Sequence, residues 1–214
     1  MKSKTGQIRL GGPAWIVKSC AIALLSAAFL LAVMGVISQP AFAQQEITQE
    51  ELDELLRVKR RTVRHLAFSP VLIRATRRQN STGLTLDEIK RRDTEWKGTK
   101  DLTPFKLELQ NNNAGKMLKR FVERNASFNE AFLTDNQGAN VAAYPATSDY
   151  WQGDEEKWSE SYQNGNGQMF IGGIELDEST NTYATQISAP VMDRDQTIGV
   201  LVVGVTFNYV RSRQ

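Results

Sequence analysis

The sequence is poor in the residue types on which much enzyme and metal chemistry depends. Its 214 residues include one cysteine, Cys20, and one histidine, His65. It contains no Gly-x-Ser-x-Gly nucleophile elbow and no His-Glu-x-x-His zinc motif. A disulfide within the chain and a metal site built on cysteines are therefore excluded. His65 lies in a helical pattern, where a histidine is more often structural than catalytic, so we predict a protein that is not an enzyme and has no cofactor or metal.

A strong excess of charge of either sign is also absent. The chain has 26 basic and 24 acidic residues, a net charge of +2, which is too weak to predict nucleic-acid binding by bulk electrostatics. The basic cluster at 57–61 follows three glutamates by about one turn, and we interpret it as a solvated helix face. Attraction of this cluster to anionic lipid headgroups is an alternative. We expect no nucleic-acid partner.

Long hydrophobic runs are absent apart from one at residues 20–37. The first 43 residues contain four basic and no acidic residues, and the run is followed by Pro40-Ala41-Phe42-Ala43. Small residues at Ala41 and Ala43 match a signal peptidase site. We predict a signal peptide over 1–43, cleaved after Ala43, and hence a periplasmic or secreted protein. An uncleaved inner-membrane anchor at 20–37 is the alternative.

Residues 44–128 have the patterns of helices. Apolar residues spaced by three and four over 47–78 predict a long helix, interrupted at Ser69-Pro70. A loop is predicted at 79–83, a capping box at Thr85 to Glu88 starts a helix that runs to about Trp96, and Thr103-Pro104 starts another. A last helix places four apolar residues on one face: Met117, Leu118, Phe121 and Val122.

Residues 129–210 have the patterns of strands and turns. Strands are predicted at 130–135, 139–144, 168–176, 182–191 and 197–208, with a hairpin turn at 135–138. The segment 198–205 is apolar at successive positions, which is typical of a central strand covered on both faces. Short antiparallel connections, with helices on one side of the sheet, predict an α+β fold in one domain with 44–128.

The segment 147–162, between the second and third predicted strands, combines aromatic and acidic residues. It holds two of the four tryptophans, two of the five tyrosines, five acids and one base. Aromatic walls beside carboxylates favour recognition of an amine or an amino acid. The alternative is structural: the rings cap the sheet, while Asp154 and Glu155 cap a short helix that carries Trp158.

Three stretches resemble the extracellular Cache (PDC) sensor domains, the PAS-like modules of bacterial chemoreceptors and sensor kinases. Residues 132–138 resemble their first hairpin, 148–155 with Trp158 their loop and short helix over the ligand, and 187–191 with 198–201 their last two strands. The resemblance covers roughly 47–210.

The resemblance implies a long N-terminal helix, a five-stranded antiparallel PAS-like sheet and a small-molecule pocket on one sheet face. It implies Asp149 and Asp154 as polar anchors of that pocket. Its aromatic walls would be Tyr144, Trp151, Trp158 and Tyr183. The implied role is ligand binding in signal transduction, such as chemotaxis.

The expected ligand is a small polar molecule: an amine, an amino acid or a small carboxylate. Lys116, Arg120 or Arg194 would favour a carboxylate if they reach the pocket. Since the sequence ends at Gln214, we expect a sensor without its own transmitter that signals through a separate membrane receptor or kinase. One alternative is an envelope interaction or structural module that uses helix 47–78 to form a homodimer or to dock on a receptor. The other is a hydrolase with Asp149 and Asp154 as an acid–base pair.

Overall fold

The computed structural model describes residues 48–177 and 182–207. The predicted signal peptide at 1–43, its cleavage site and the apolar run at 20–37 lie outside these residues, as do residues 208–210 at the end of the predicted sheet region. In the part of the chain that is described, no helix combines the length and the apolar character needed to cross a membrane.

In the described part of the chain, five helices precede the sheet, and each begins after a residue whose side chain accepts a hydrogen bond from the first turn. The helices are α1 (Gln49–Ala67), α2 (Pro70–Asn80), α3 (Leu86–Lys97), α4 (Pro104–Asn111) and α5 (Asn113–Glu123). Their caps are Thr48, Ser69, Thr85, Thr103 and Asn112. Such caps satisfy N–H groups that have no partner within the helix. The predicted break at Ser69-Pro70 and the starts at Thr85 and Thr103 are confirmed.

The capping box predicted at Thr85 is only half formed. The Thr85 hydroxyl accepts the backbone N–H of Glu88 at 3.3 Å, but the Glu88 carboxylate accepts from Arg91 and Arg92 instead of returning to the cap. The complete box lies at the start of α1, between Thr48 and Glu51. Two arginines within one turn of Glu88 compete successfully for its carboxylate.

The strands form one antiparallel sheet. They are β1 (Phe128–Thr134), β2 (Asn140–Tyr144), β3 (Phe170–Ile171), β4 (Glu175–Asp177), β5 (Thr182–Asp193) and β6 (Gln196–Phe207). The order is β2-β1-β6-β5-β3, and β4 also pairs with β5. Because β3 and β4 share one edge, the sheet has five strand positions, and the predicted α+β fold is confirmed. The single strand predicted at 168–176 is wrong: Gly172 and Gly173 interrupt it, since glycine has no side chain to pack in a strand.

Apolar side chains cover both faces of the sheet. On one face, α1, α2 and α5 pack over a core that includes Val63, Leu72, Leu118, Leu133 and Leu201. On the other face lies a further short helix, α6 (Glu156–Tyr162), above a smaller cluster formed by Phe132, Ala143, Val200 and Val202. The expectation of helices on one side only is therefore wrong. The central position predicted for 198–205 is confirmed, because β6 lies between β1 and β5.

Candidate functional site

The segment between β2 and α6 is fixed to α3 by Asp93. This carboxylate is 7% exposed, and its Oδ1 accepts the backbone N–H groups of Tyr150 at 2.8 Å and Trp151 at 3.1 Å. Its Oδ2 lies 2.6 Å from Nζ of Lys97, and this contact raises the pKa of the Lys97 ammonium. Tyr150 is 1% exposed, with its ring 5.8 Å from that of Trp96. These contacts therefore anchor the segment to α3.

Two of the predicted site residues make contacts within this segment. Oδ1 of Asp149 accepts from the Gln152 amide at 2.5 Å and from the Ser148 hydroxyl at 3.1 Å. The Trp151 indole N–H donates to the Gln137 carbonyl at 2.8 Å. Asp154, another predicted site residue in this segment, is exposed in the turn that follows. These contacts explain how the segment keeps its shape without requiring a ligand.

Trp158 lies on α6, over the opposite face of the sheet from α1. Its ring stacks on Tyr162 with centroids 4.7 Å apart and an interplanar angle of 16°. Its indole N–H donates to the Asp135 carbonyl at 3.4 Å. Burial, together with the nearby Asp135 charge, raises the pKa of the Tyr162 phenol. Glu155 is the residue before α6, but its side chain makes no capping bond. The short helix of the structural interpretation therefore exists without the predicted side-chain cap.

Tyr144 and Tyr183 lie on the face covered by the long helices. The Tyr144 hydroxyl donates to Glu123 on α5 at 2.8 Å, and this bond raises the pKa of the phenol. Tyr183 pairs with Phe207 in the sheet, and the two rings stack at 6.3 Å. Tyr183 and Ile187 are four residues apart on β5, so their side chains are on the same face of the sheet. Ile187 belongs to the core beneath the helices. The six predicted residues are therefore distributed among three places: the segment against α3, the face under α6 and the helix-covered face.

A cavity of about 430 Å³ lies on the α6 face of the sheet. Its floor is formed where Glu130 of β1, Gly204 of β6 and Gln186 of β5 are side by side in the register. The Gln186 amide donates to Oε1 of Glu130 at 2.7 Å across the glycine. A Cβ at Gly204 would lie 2.6 Å from Cγ of Glu130, so a side chain at this position would displace the glutamate.

The rim of this cavity is acidic. Glu155, Glu156 and Lys157 come from the start of α6, and Glu175 with the ring of Phe170 comes from the edge strands. Together with Glu130 on the floor, the lining contains four carboxylates and one ammonium, that of Lys157. Nζ of Lys157 lies 3.9 Å from Oε2 of Glu155. An excess of three carboxylates favours a cationic guest, and the volume is within the range of small-molecule sites.

The six predicted residues are not among those that line this cavity. Sequence reasoning missed Glu130, Gln186 and Gly204. The available signal was Gly204 itself, because an isolated glycine within an apolar strand often marks a close approach of another group. Among the described residues, no three or more His, Cys, Asp or Glu side chains are grouped so that they could hold a metal ion.

No family model matches the chain, and no curated protein matches it in sequence. Among solved structures, it is similar to the sensor domain of the Vibrio cholerae histidine kinase DctB, with 16% identity, a TM-score of 0.31 and coverage of 72% of this chain and 57% of that one. It is also similar to the ligand-binding domain of the Pseudomonas aeruginosa PAO1 amino acid chemoreceptor PctC in complex with GABA, with 12% identity, a TM-score of 0.37 and coverage of 75% and 62%. A third is the sensory domain of the Campylobacter jejuni chemoreceptor Tlp3 with isoleucine bound, with 17% identity, a TM-score of 0.33 and coverage of 74% and 64%.

The chain thus spans 57–64% of the length of these three structures. These three structures are sensor or ligand-binding domains of a histidine kinase and of chemoreceptors.

Proposed function

We propose that the protein is a non-enzymatic sensor domain that binds a small molecule carrying an ammonium group in the cavity between α6 and the sheet. The observation that supports this most directly is the floor of that cavity, where Glu130 is held by Gln186 over a glycine. A carboxylate oriented by an amide needs little reorganisation to accept the N–H groups of an ammonium.

The surrounding groups suit an amine or an amino acid. The Phe170 ring offers an apolar wall, and Glu155, Glu156 and Glu175 add negative charge around the opening. Lys157 is the one basic side chain in the lining and could receive a carboxylate of the same ligand. An amino acid would then place its ammonium towards Glu130 and its carboxylate towards Lys157.

Signalling would follow from the position of α6. Residues 155–157, at the start of this helix, contribute to the rim, so a bound ligand would bridge the sheet and α6. We infer a periplasmic domain, released after Ala43, that reports this bound state to a separate membrane receptor or kinase. A homodimer along the helices of 47–78 belongs to the same proposal.

Isothermal titration calorimetry on the purified full chain tests the ligand class. The probes are amines and amino acids, with small monocarboxylates and neutral polyols for comparison. Glu130→Gln should weaken binding of the ammonium ligands by about tenfold or more, because a hydrogen bond to a charged group contributes about 1.5–3 kcal/mol. Gly204→Ala should also weaken binding, since its Cβ would displace Glu130.

Glu108→Gln is the matched control, because Glu108 is an exposed glutamate on α4 outside this cavity. It removes the same charge and should leave the affinity for the ammonium ligand unchanged. The proposal fails if no ammonium compound binds the folded chain, or if Glu130→Gln and Glu108→Gln have equal effects.

A further inference from the structure

A second cavity lies in the helical layer, on the other side of the sheet from α6. Its volume is about 470 Å³, and it opens between α2, α4 and α5. Its apolar part includes Leu109, Ala114 and Val141, all of which are buried. The polar part of its lining is basic, whereas that of the cavity beside α6 is acidic.

Four basic side chains surround the opening in two pairs. Arg74 and Arg78 are one turn apart on α2, and Lys116 and Arg120 are one turn apart on α5. In the part of the chain that the structure describes, none of these four forms an ion pair. Glu108 is the one carboxylate in the lining, so the cavity has an excess of three positive charges.

This arrangement is unfavourable for the isolated helices. Like charges at i and i+4 repel, and that spacing occurs on α2 and again on α5. Lys116 is the fourth residue of α5, at the end of the first turn, and is therefore near the positive end of the helix dipole, which disfavours a cation. The start of α5 itself lines the cavity through Asn112 and Ala114 and adds to its positive potential. Arg78 and Arg120 lie in the last turns of their helices, where the helix dipole favours a cation, so local compensation is partial. A bound anion would compensate for the remaining repulsion.

We propose that this cavity binds a small anion with two or more negative charges, carried by carboxylate or phosphate groups. Three of the four basic residues are arginines, and a guanidinium can donate two parallel hydrogen bonds to either group. The proposal does not depend on the ammonium site, because the two cavities lie on opposite faces of the sheet and attract opposite charges. Lys116 and Arg120, which the sequence analysis associated with a carboxylate ligand, would bind the anion in this cavity and not in the cavity beside α6.

Titration calorimetry of the purified full chain at low salt, with citrate and with inorganic phosphate, tests this site. Arg74→Gln combined with Arg120→Gln removes one guanidinium from each helix. We expect this double variant to weaken binding about 100-fold, tenfold for each guanidinium. The control is Arg60→Gln combined with Arg61→Gln, two exposed arginines on α1 outside the cavity, and it should weaken binding by less than about threefold through the general loss of charge. Glu108→Gln should tighten binding, because it removes the carboxylate in the lining.

The two probes distinguish the source of the anion. Tighter binding of citrate assigns the site to carboxylates, and tighter binding of phosphate assigns it to phosphorylated molecules. Circular dichroism confirms that each variant is folded before it is titrated. Absence of binding of both anions to the folded wild type, or equal losses in the cavity variant and the α1 control, would overturn the proposal. Binding of ammonium compounds is measured separately, with Glu130→Gln, so failure of one site leaves the other intact.

Discussion

Asp93 offers a direct test of how the segment between β2 and α6 is held in place. Its Oδ1 accepts two backbone N–H groups, from Tyr150 and Trp151, and its Oδ2 contacts Lys97. Asp93→Ala removes both acceptors and leaves the two N–H groups without their partner. Asp93→Asn can keep one oxygen facing the N–H groups but loses the charge, and Lys97→Ala removes only the ion pair.

The structure gives these three variants different magnitudes. A buried donor left unsatisfied costs about 1–3 kcal/mol, and the Trp151 N–H is only partly buried, so Asp93→Ala should lower the free energy of unfolding by about 2–5 kcal/mol. The Lys97 side chain is 52% exposed, and such an ion pair contributes less than about 1 kcal/mol. Asp93→Asn should lie between these values, at about 1–2 kcal/mol, because neutral hydrogen bonds replace charge-assisted ones.

Urea denaturation followed by tryptophan fluorescence measures these differences, since Trp151 reports on the segment itself. If Asp93→Ala costs no more than Lys97→Ala, the hydrogen bonds to the segment contribute little, and the reasoning is refuted. If Asp93→Asn costs as much as Asp93→Ala, the charge of the carboxylate matters more than its position as an acceptor.

Two further predictions concern the α6 face. Burial raises the pKa of the Asp135 carboxyl, although the N–H groups of Gln137 and Ala139 oppose this by donating to Oδ1. Between the unfolded pKa of about 3.9 and the higher folded value, the folded state binds more protons, so this carboxyl's contribution to stability falls as pH rises through that window. Asp135→Asn should remove this decrease in the free energy of unfolding, measured from denaturation curves between pH 3.5 and 7. If the free energies of wild type and variant differ by the same amount at every pH, the assignment is contradicted. Trp158→Ala should lower the free energy of unfolding by about 2–4 kcal/mol, whereas Trp158→Phe, which keeps a ring stacked on Tyr162, should cost about 1 kcal/mol. Equal costs in thermal unfolding would show that the stacked ring contributes little.

The sequence alone predicted most elements of this fold, because their signals are local. A threonine or serine cap, followed by proline in α2 and α4, is adjacent to the helix that it starts, so the beginnings of α2, α3 and α4 were predictable. The apolar run at 198–205 likewise predicted a central strand, since each of its side chains must be covered. The interruption between β3 and β4 was not predicted, because the effect of two glycines depends on whether β5 continues alongside them.

The proposed binding residues were beyond local reasoning. Gln186 meets Glu130, 56 residues away, because β6 places Gly204 between them, and that register depends on pairings across the whole sheet. Trp151 and Trp158 are seven residues apart, yet Asp93 holds one against α3 while α6 carries the other over the sheet. Aromatic and acidic composition identified the segment, but not the direction of each side chain.

The same distinction applies to the charges. Composition gave a net charge of +2 and indicated no strong partner preference. The tertiary structure separates the charges into an acidic cavity beside α6 and a basic cavity between α2, α4 and α5. Sequence order determines which residues form each helix and strand, whereas long-range packing determines which charges become neighbours, and binding depends on those neighbours.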